Sequence, residues 1–375
     1  MQPVVKKLVD LIASNGWTER FTRAVDKAAS YNIPSLHDIK TFDDYIAWID
    51  GLLTWVPSEN HAGKKIYNHI CEFYFILDQP TVRELQNHIV PGAQMPPLTE
   101  LSQWMVEYAD AWGRFLDTTE SITPESLESF ARSPNFNLDE YMPPPSGYLT
   151  FNQLFARSVK PGMRPIAAIA DPTVIVSAAD STFVGWWQIN QNSRITVKGL
   201  HWSIAELLEG SPFKHRFEGG VFMHSFLNTT DYHRLHVPVP GKVVESRVIH
   251  GQVYLDVAAV PVTVGDNGTH ELKAIRNFDA EDATGYQFAQ ARGLLVIDSP
   301  IGLVAVMPIG MAQVSSVVMT ADVGKTLFKG QEFAYFQFGG SDHIVLFEAA
   351  CNVALTAQPS VHYNQGQAIG HAYPA

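Results

Sequence analysis

The sequence predicts an α+β protein, with a helical amino-terminal domain over residues 1–141 followed by a β-rich domain over residues 142–375. Apolar residues recur at three- and four-residue spacing in the first third of the chain, as they do along one face of a helix. Beyond residue 172, short apolar and β-branched runs alternate with Gly, Pro, Asn and Asp, which is typical of strands and turns. Between these regions, the run Met-Pro-Pro-Pro-Ser-Gly from Met142 cannot continue a helix and indicates a linker. A length of 375 residues agrees with two domains.

The predicted helices of the first domain end at glycine and proline residues, which stop a helix. Their apolar spacing places them at Val4 to Ala13, Phe42 to Trp55, Lys64 to Phe75 and Leu98 to Leu116.

The second domain contains one short amphipathic helix, at about Ser203 to Leu208, among many predicted strands. These strands are Thr173–Ser177, Gly220–Leu227, Lys242–Val248, Val253–Val264, Leu294–Ile297, Gly302–Met307 and Gln313–Met319.

Composition excludes several classes of function. The formal net charge is −12, which argues against non-specific binding to nucleic acids or anionic membranes, because both depend on clustered Lys and Arg. The two cysteines are too few for a disulfide framework, and the first residues lack the apolar core of a secretory signal. No uncharged apolar stretch is long enough for a membrane helix. We expect a soluble, cytoplasmic protein in a reducing environment.

Three separated segments carry chemically suggestive side chains. They are Ala178-Ala179-Asp180-Ser181, Asp231-Tyr232-His233-Arg234-Leu235-His236 and Phe338-Gly339-Gly340-Ser341-Asp342. Asp, His and Ser together can activate a hydroxyl, because a base removes its proton and a carboxylate fixes the tautomer of the base. This combination suits a serine hydrolase or a self-processing enzyme. The serine is not within a Gly-x-Ser-x-Gly elbow, and two preceding glycines leave a scissile carbonyl open, so that self-processing fits better.

Longer motifs support this interpretation. Asp231-Tyr232-His233-Arg234-Leu235-His236-Val237-Pro238, followed by Gly241, resembles the corresponding segment of phosphatidylserine decarboxylases. Further similarity to this family covers roughly residues 150 to 350, in Phe151 to Ile166, Val197-Lys198-Gly199, Ala205-Glu206-Leu207-Leu208, and Leu327-Phe328-Lys329-Gly330-Gln331-Glu332 with Phe338-Gly339-Gly340-Ser341.

The resemblance implies a pyruvoyl cofactor made from the chain itself. The Ser341 hydroxyl attacks the Gly340 carbonyl, and elimination and hydrolysis leave a pyruvoyl group at the start of the α chain, while Gly340 ends the β chain. By position, His236 is the base for Ser341 and Asp180 orients it. His233 matches the histidine assigned to decarboxylation, where it positions the carboxylate or reprotonates the carbanion. The pyruvoyl group forms a Schiff base with the substrate amine and accepts the electrons released with CO₂.

The expected substrate is a free L-amino acid, with an aromatic one such as tryptophan as the example. Asp180 is followed by Ser181 where the family has glycine, and Asp342 replaces the usual Thr, Ser or apolar residue. The acidic helical extension resembles the domain that precedes the catalytic part of fungal tryptophan decarboxylases. Aromatic residues near the motifs belong to the core or to a substrate pocket; they are Phe183, Trp186, Trp187, Trp202 and Tyr335. The α and β chains are expected to stay associated, and the sequence leaves open whether the protein forms a homo-oligomer.

Several alternatives remain at this point. The first alternative is a true phosphatidylserine decarboxylase, which would use the same chemistry on a phospholipid. A serine hydrolase using Asp180, His236 and Ser341, or a non-catalytic protein with the same fold, predicts an uncut polypeptide. His343 is a second candidate proton donor, although a surface strand residue is its simpler interpretation.

The histidines give little support to a metal site. His224, His233 and His236 lack an accompanying cysteine pair or His-Glu-x-x-His helix, so that no metal is expected. Cys71 and Cys351 are expected to be buried small residues.

Overall fold

The computed structural model of this chain describes residues 1–91, 97–197, 200–262, 269–274, 285–312, 316–338 and 340–374. It confirms the α+β class, with helices concentrated in the first third and antiparallel strands in the rest. Some predicted features lie outside the described residues: Lys198 and Gly199, residues 263–264, residues 313–315, and Gly339.

The five predicted helices are present, with ends within about three residues of the predicted ones. The described α-helices are α1 (Pro3–Ser14), α2 (Thr18–Ala29), α3 (Phe42–Leu52), α4 (Lys65–Leu77), α5 (Pro80–Arg83), α6 (Glu100–Leu116), α7 (Pro124–Ala131), α8 (Phe151–Phe155) and α9 (Ile204–Leu207). Of these, α2, α5, α7 and α8 were not predicted.

Local chemistry explains where these helices begin. At the start of α3, Thr41 Oγ1 accepts from the Asp44 N–H at 3.1 Å and the Asp44 carboxylate accepts from the Thr41 N–H at 2.9 Å, a capping box. Thr99 caps α6 through the Ser102 N–H. Helix α2 was not predicted, because two of the four residues on its buried face are alanines and give a weak apolar pattern.

The described strands follow the predicted β-rich pattern of the second domain. They are β1 (Tyr141–Met142), β2 (Ser158–Val159), β3 (Val174–Val176), β4 (Ser181–Gln188), β5 (Arg194–Val197), β6 (Leu200–Ser203), β7 (Val221–Leu227), β8 (Arg234–His236), β9 (Gly241–Ile249), β10 (Val257–Pro261), β11 (His270–Ala274), β12 (Arg292–Ser299), β13 (Gly302–Met311), β14 (Val317–Met319), β15 (Thr326–Leu327), β16 (Glu332–Phe336), β17 (Gly340–Phe347), β18 (Val353–Leu355), β19 (His362–Tyr363) and β20 (Ala368–Ala372).

Two sheets matter for the site. The larger has eight strands in the order β15-β9-β12-β13-β17-β7-β4-β19, and the smaller has the order β14-β16-β8. Strand β17 lies between β13 and β7 and is antiparallel to both. A strand in this position has no free edge, and its apolar run Ile344 to Phe347 packs into core on both faces of the sheet.

One apolar core joins the helical region to the eight-stranded sheet. It contains Trp104 and Phe73 from the helices together with Leu295 and Val306 from the strands. A second core, around Phe222, covers the other face of the sheet. Neither cysteine forms a disulfide, and both are buried, as predicted. Within the described ranges, no helix is long and apolar enough to cross a membrane.

Candidate active site

Ser341 occupies the second position of β17, in the middle of the eight-stranded sheet. It pairs with Gly310 on β13 and with Leu227 on β7. Its side chain is completely buried, and its hydroxyl has no hydrogen-bond partner among the described residues. Leaving a buried polar group unpaired costs about 1–3 kcal/mol, so such groups are rare without a functional reason. The buried, unpaired hydroxyl therefore makes Ser341 a candidate for the reacting group of the site.

The segments that carry the predicted site residues lie at one end of this sheet. Strand β7 ends at Leu227, which pairs with Ser341, and the chain continues from it to His233 and His236. On the other side, the Phe336 N–H donates to the His233 carbonyl at 2.9 Å, five positions before Ser341. Asp180 immediately precedes β4, which pairs with the same end of β7. Strands β4, β7, β16 and β17 therefore bring the three sequence segments together.

The ring of His236 is held by two hydrogen bonds. Its Nδ1 lies 2.8 Å from the Gly330 carbonyl oxygen, which only accepts, so Nδ1 carries the proton. Its Nε2 then accepts from the Tyr232 hydroxyl at 3.0 Å. Burial lowers the pKa of His236 below its ordinary value, although the Gly330 carbonyl opposes this shift. The ring is consequently neutral at neutral pH, as a base must be.

Gly330 is required for this arrangement. Its φ of +76° is in the left-handed region, and a Cβ there would lie 2.4 Å from Ile166 Cδ1. No residue with a side chain fits this position without displacing Ile166. The segment Lys329-Gly330-Gln331-Glu332 thus supplies a backbone hydrogen-bond acceptor for His236, which the sequence analysis did not identify.

Asp180 binds an arginine and not the predicted histidine. Arg164 Nε and Nη2 donate to its carboxylate at 2.9 and 2.6 Å, and the Gln365 N–H donates at 2.8 Å. The structure corrects the expectation that Asp180 orients His236 directly, because the Gly330 carbonyl makes that contact. Asp180 acts on His236 through its charge, which favours the protonated imidazole. Its role in catalysis remains a prediction.

His233 lies in an apolar environment with a neighbouring positive charge. Its ring stacks on Phe155 at a centroid distance of 4.0 Å and is completely buried. Burial, and then the charge of Arg157, lowers the pKa of His233 to about 3. Neither ring nitrogen has good hydrogen-bond geometry with a described residue, although the Asp231 backbone weakly favours protonation. His233 is therefore a neutral imidazole with unused hydrogen-bonding capacity.

His343 is not the surface residue that its sequence context suggested. It pairs with Pro308 and Ser225 across the central strands and is completely buried. Because side chains alternate along a strand, His343 lies on the same face as Ser341. Burial, and then the neighbouring His224, lowers the pKa of His343 to about 3. It is neutral at physiological pH and lacks the acidic proton of an imidazolium.

The structure also reveals a polar cluster on the opposite face of β17, which the sequence analysis missed. His224 Nε2 lies 3.0 Å from Asp342 Oδ2, and both side chains are completely buried. The same carboxylate accepts from the Tyr286 hydroxyl at 2.8 Å and from Gln287 Nε2 at 3.1 Å. A histidine within the apolar run of β7 was the available signal. If the chain is cut before Ser341, these contacts would join the two products, because Asp342 belongs to the carboxyl-terminal product and its three partners belong to the amino-terminal one.

The candidate pocket aromatics do not form one group. Phe183 belongs to the core shared with the helices, whereas Trp202 lies in the second core and Trp186 is half exposed. Trp187 packs edge-to-face against Phe222. Tyr335 lines a cavity of about 240 Å³ near the cleavage segment, together with Asn152, Arg157, Arg234 and Gln337. Among the residues that the structure describes, no group of three or more His, Cys, Asp or Glu could hold a metal ion.

Comparison with known proteins agrees with this geometry. Residues 151–371 match the sequence profile of the phosphatidylserine decarboxylase family, which is more than half of the chain. The chain belongs to the phosphatidylserine decarboxylase family. The family predicted from the sequence motifs is thereby confirmed.

Relatives in this family include enzymes from fungi and bacteria. Phosphatidylserine decarboxylase proenzyme 3 of Schizosaccharomyces pombe is 36% identical over 228 residues, covering 60% of this chain and 22% of that protein. A phosphatidylserine decarboxylase proenzyme of Fusobacterium nucleatum is 30% identical over 240 residues, covering 64% of this chain and 73% of the relative. Decarboxylase iboD of Amanita muscaria is 28% identical over 262 residues, covering 64% and 74%. The chain thus spans less than a quarter of the Schizosaccharomyces protein.

Proposed function

We propose that this chain is a self-processing, pyruvoyl-dependent decarboxylase of a free L-amino acid, cut between Gly340 and Ser341. The observation that carries the proposal is the buried, unpartnered hydroxyl of Ser341, which directly follows a glycine at the sheet end where His233 and His236 lie. An orphaned hydroxyl in this position suits a residue that is consumed to make a cofactor. Membership in a family of proenzymes supports the same conclusion.

The cleavage uses a nucleophile and a base that the chain provides. Ser341 Oγ attacks the Gly340 carbonyl carbon, the C–N bond breaks, and the acyl group moves to oxygen as an ester while the nitrogen becomes an amine. Loss of the Ser341 Cα proton expels the Gly340 carboxylate and leaves a dehydroalanine. Its tautomer takes up water and releases ammonia. Neutral His236 is the proposed acceptor for the Ser341 proton, because its lowered pKa leaves the ring unprotonated; for this step its Nε2 must exchange the Tyr232 hydroxyl for that of Ser341.

Decarboxylation places different demands on the site. The pyruvoyl group supplies an electron-accepting carbonyl that condenses with an amine. His233 is neutral and has unused hydrogen-bonding capacity, so it can donate a hydrogen bond to the substrate carboxylate. A carboxylate beside this buried ring would raise its pKa, because a nearby negative charge favours the protonated imidazole. Substrate binding would thereby convert His233 into an acid that can reprotonate the product carbon.

A free amino acid is the substrate that the surroundings favour. The formal net charge of −12 disfavours binding to anionic bilayers, which attract Lys and Arg. The names of several relatives favour phosphatidylserine as the second candidate.

Intact mass under denaturing conditions tests the cleavage. The wild-type chain should give fragments 1–340 and 341–375, the latter lighter than its serine form by one ammonia and reactive with phenylhydrazine. Ser341→Ala should give the full-length chain. Ser225→Ala is the matched control, since it removes another buried serine from the neighbouring strand β7 and should leave the cut intact. An uncut, unmodified wild-type chain would refute the proposal.

The substrate is then tested on the cleaved protein. Amine formation from tryptophan, phenylalanine or methionine without detergent is the expected result. Turnover of phosphatidylserine vesicles with no turnover of any free amino acid would assign the lipid instead.

A further inference from the structure

The segment just before the cleavage site is held by an aromatic cluster. Phe338 lies two positions before Gly340 and is only 3% exposed. Its ring packs edge-to-face against Trp112, Phe151 and Phe155, at centroid distances of 5.2, 5.4 and 5.8 Å. Edge-to-face packing is a favoured geometry for aromatic pairs. Trp112 comes from helix α6, outside residues 151–371 that match the family.

Hydrogen bonds hold the backbone of the same segment. Asn152 Oδ1 accepts from the Phe338 N–H at 3.2 Å, while its Nδ2 donates to Asp117 Oδ1 at 2.9 Å. Gln337 Nε2 also reaches Asp117 Oδ1, at 3.4 Å. Asp117, at the carboxyl end of α6, therefore fixes the orientation of the Asn152 amide that binds Phe338. Both the ring and the backbone of Phe338 depend on this end of the helix.

Cleavage requires such a restraint. A nucleophile and a carbonyl carbon react efficiently when they are held at about 3–3.5 Å with the correct alignment. Ser341 is fixed by its pairing with β7 and β13. The two glycines before it have no side chains with which to restrain the backbone. Gly340 pairs with Met311 on β13, which restrains the scissile carbonyl from the strand side. On the other side, Phe338 is the first residue with a side chain that can hold the segment before the cut.

We propose that helix α6 is part of the maturation apparatus, with Trp112 and Asp117 as positioning residues that hold Phe338 so that Ser341 can attack Gly340. This inference rests on the proposed self-cleavage. The helical region, although outside the family match, is then needed for the cofactor to form.

Cleavage kinetics of freshly translated chains test the proposal, with Trp104 as the matched control. Trp104 lies on the same helix and is equally buried, but its described ring contacts are with Phe73 and Tyr108. Trp112→Leu should slow cleavage at least about tenfold, since small misplacements of reacting groups cost large rate factors. Trp104→Leu should cleave at the wild-type rate. Trp112→Phe should restore cleavage, because it keeps an aromatic ring against Phe338.

Hydroxylamine locates the affected step. It cuts an ester but not an amide, so it should release no small fragment from Trp112→Leu, in which the ester does not form. Release of that fragment would show that the helix acts after the attack and would overturn the proposal. Equal slowing by Trp104→Leu would also overturn it, since the effect would then follow general destabilisation.

Surface variants keep the test valid if the tryptophan variants fail to fold. Asp117→Ala removes an exposed side chain and should slow cleavage several-fold, whereas Asp110→Ala, also exposed on α6, should not. Equal rates for these two variants would contradict the assignment of Asp117. A wild-type chain that is never cut would refute the proposed function, whereas normal cutting of Trp112→Leu in a cleaving wild-type background would overturn this inference alone.

Discussion

Two completely buried histidines should make the uncut polypeptide sensitive to acid. Burial lowers the pKa of His233 and of His343 to about 3 in each case, and the neighbouring Arg157 and His224 contribute to the shifts of His233 and His343 respectively. An exposed histidine titrates near 6.5. Above that pH the rings are neutral in the folded and unfolded chains, and they add nothing to the pH dependence of stability. Below it, the unfolded chain binds two protons that the folded chain does not.

The size of the effect follows from this difference. Each histidine lowers the free energy of unfolding by about 1.4 kcal/mol for every pH unit below about 6.5, until the folded pKa is reached. At about pH 5, one histidine therefore costs roughly 2 kcal/mol and the two together roughly 4 kcal/mol. Typical domains are stable by only about 5–15 kcal/mol. Acid should consequently unfold the precursor well before most carboxylates are protonated.

Urea unfolding of Ser341→Ala tests the prediction, because this variant is expected to stay uncut and gives one species. The free energy of unfolding should fall between about pH 7 and about pH 5, and adding His343→Leu should reduce this fall by roughly 2 kcal/mol. The leucine variant is compared with its own value at about pH 7, so that packing changes cancel. An identical pH dependence with and without His343 would show that its ring protonates in the folded chain, and would refute the reasoning.

Two further predictions concern Asp180 and His236. Arg164→Leu, in the uncut Ser341→Ala background, should lower the free energy of unfolding by about 3–5 kcal/mol, because it leaves the Asp180 carboxylate buried without its cation; an unchanged urea midpoint would contradict this. The rate of self-cleavage in the wild-type chain should be level at and above about pH 6.5 and should fall only at a more acidic pH, because burial lowers the pKa of His236 and the ring loses its capacity to accept a proton once it is protonated. A rate that rises towards acid would exclude His236 as the base.

The sequence predicted the family of the protein but not the contacts of the candidate site. The resemblance placed Ser341, His233 and His236 at one site, and strand pairing brings their segments together. Their catalytic roles stay predictions. The partner of His236 was missed because it is the backbone carbonyl of Gly330, and residue types do not indicate which carbonyl a ring will contact. The Arg164 partner of Asp180 was missed because the motif identified the residue but not the long-range pairing.

The burial of His343 was missed for a different reason. Ser-Asp-His before Ile-Val-Leu-Phe resembles the polar start of an exposed strand. Only the sheet order shows that β17 is central and covered on both faces, since long-range pairing decides burial there. Ser341, Asp342 and His343 are then buried polar side chains, and their burial costs folding free energy. Such unfavourable burial is concentrated at functional sites. Burial therefore strengthens the functional interpretation of this segment.

The helical region shows how local and long-range information separate. Most of its longer helices could be predicted because apolar spacing is local, but the contact of Trp112 with Phe338 depends on how α6 packs against a segment 226 positions further along the chain. The core is continuous from Trp104 to Val306, so the helices and the sheet share their buried surface. In the mechanism we propose, residues within the family match supply the chemistry, and the restraint on the scissile segment comes partly from outside that match. A fragment of residues 151–371 would therefore contain every proposed catalytic group. It would still lack the contact of Trp112 with Phe338, which in our proposal places Gly340 for attack by Ser341.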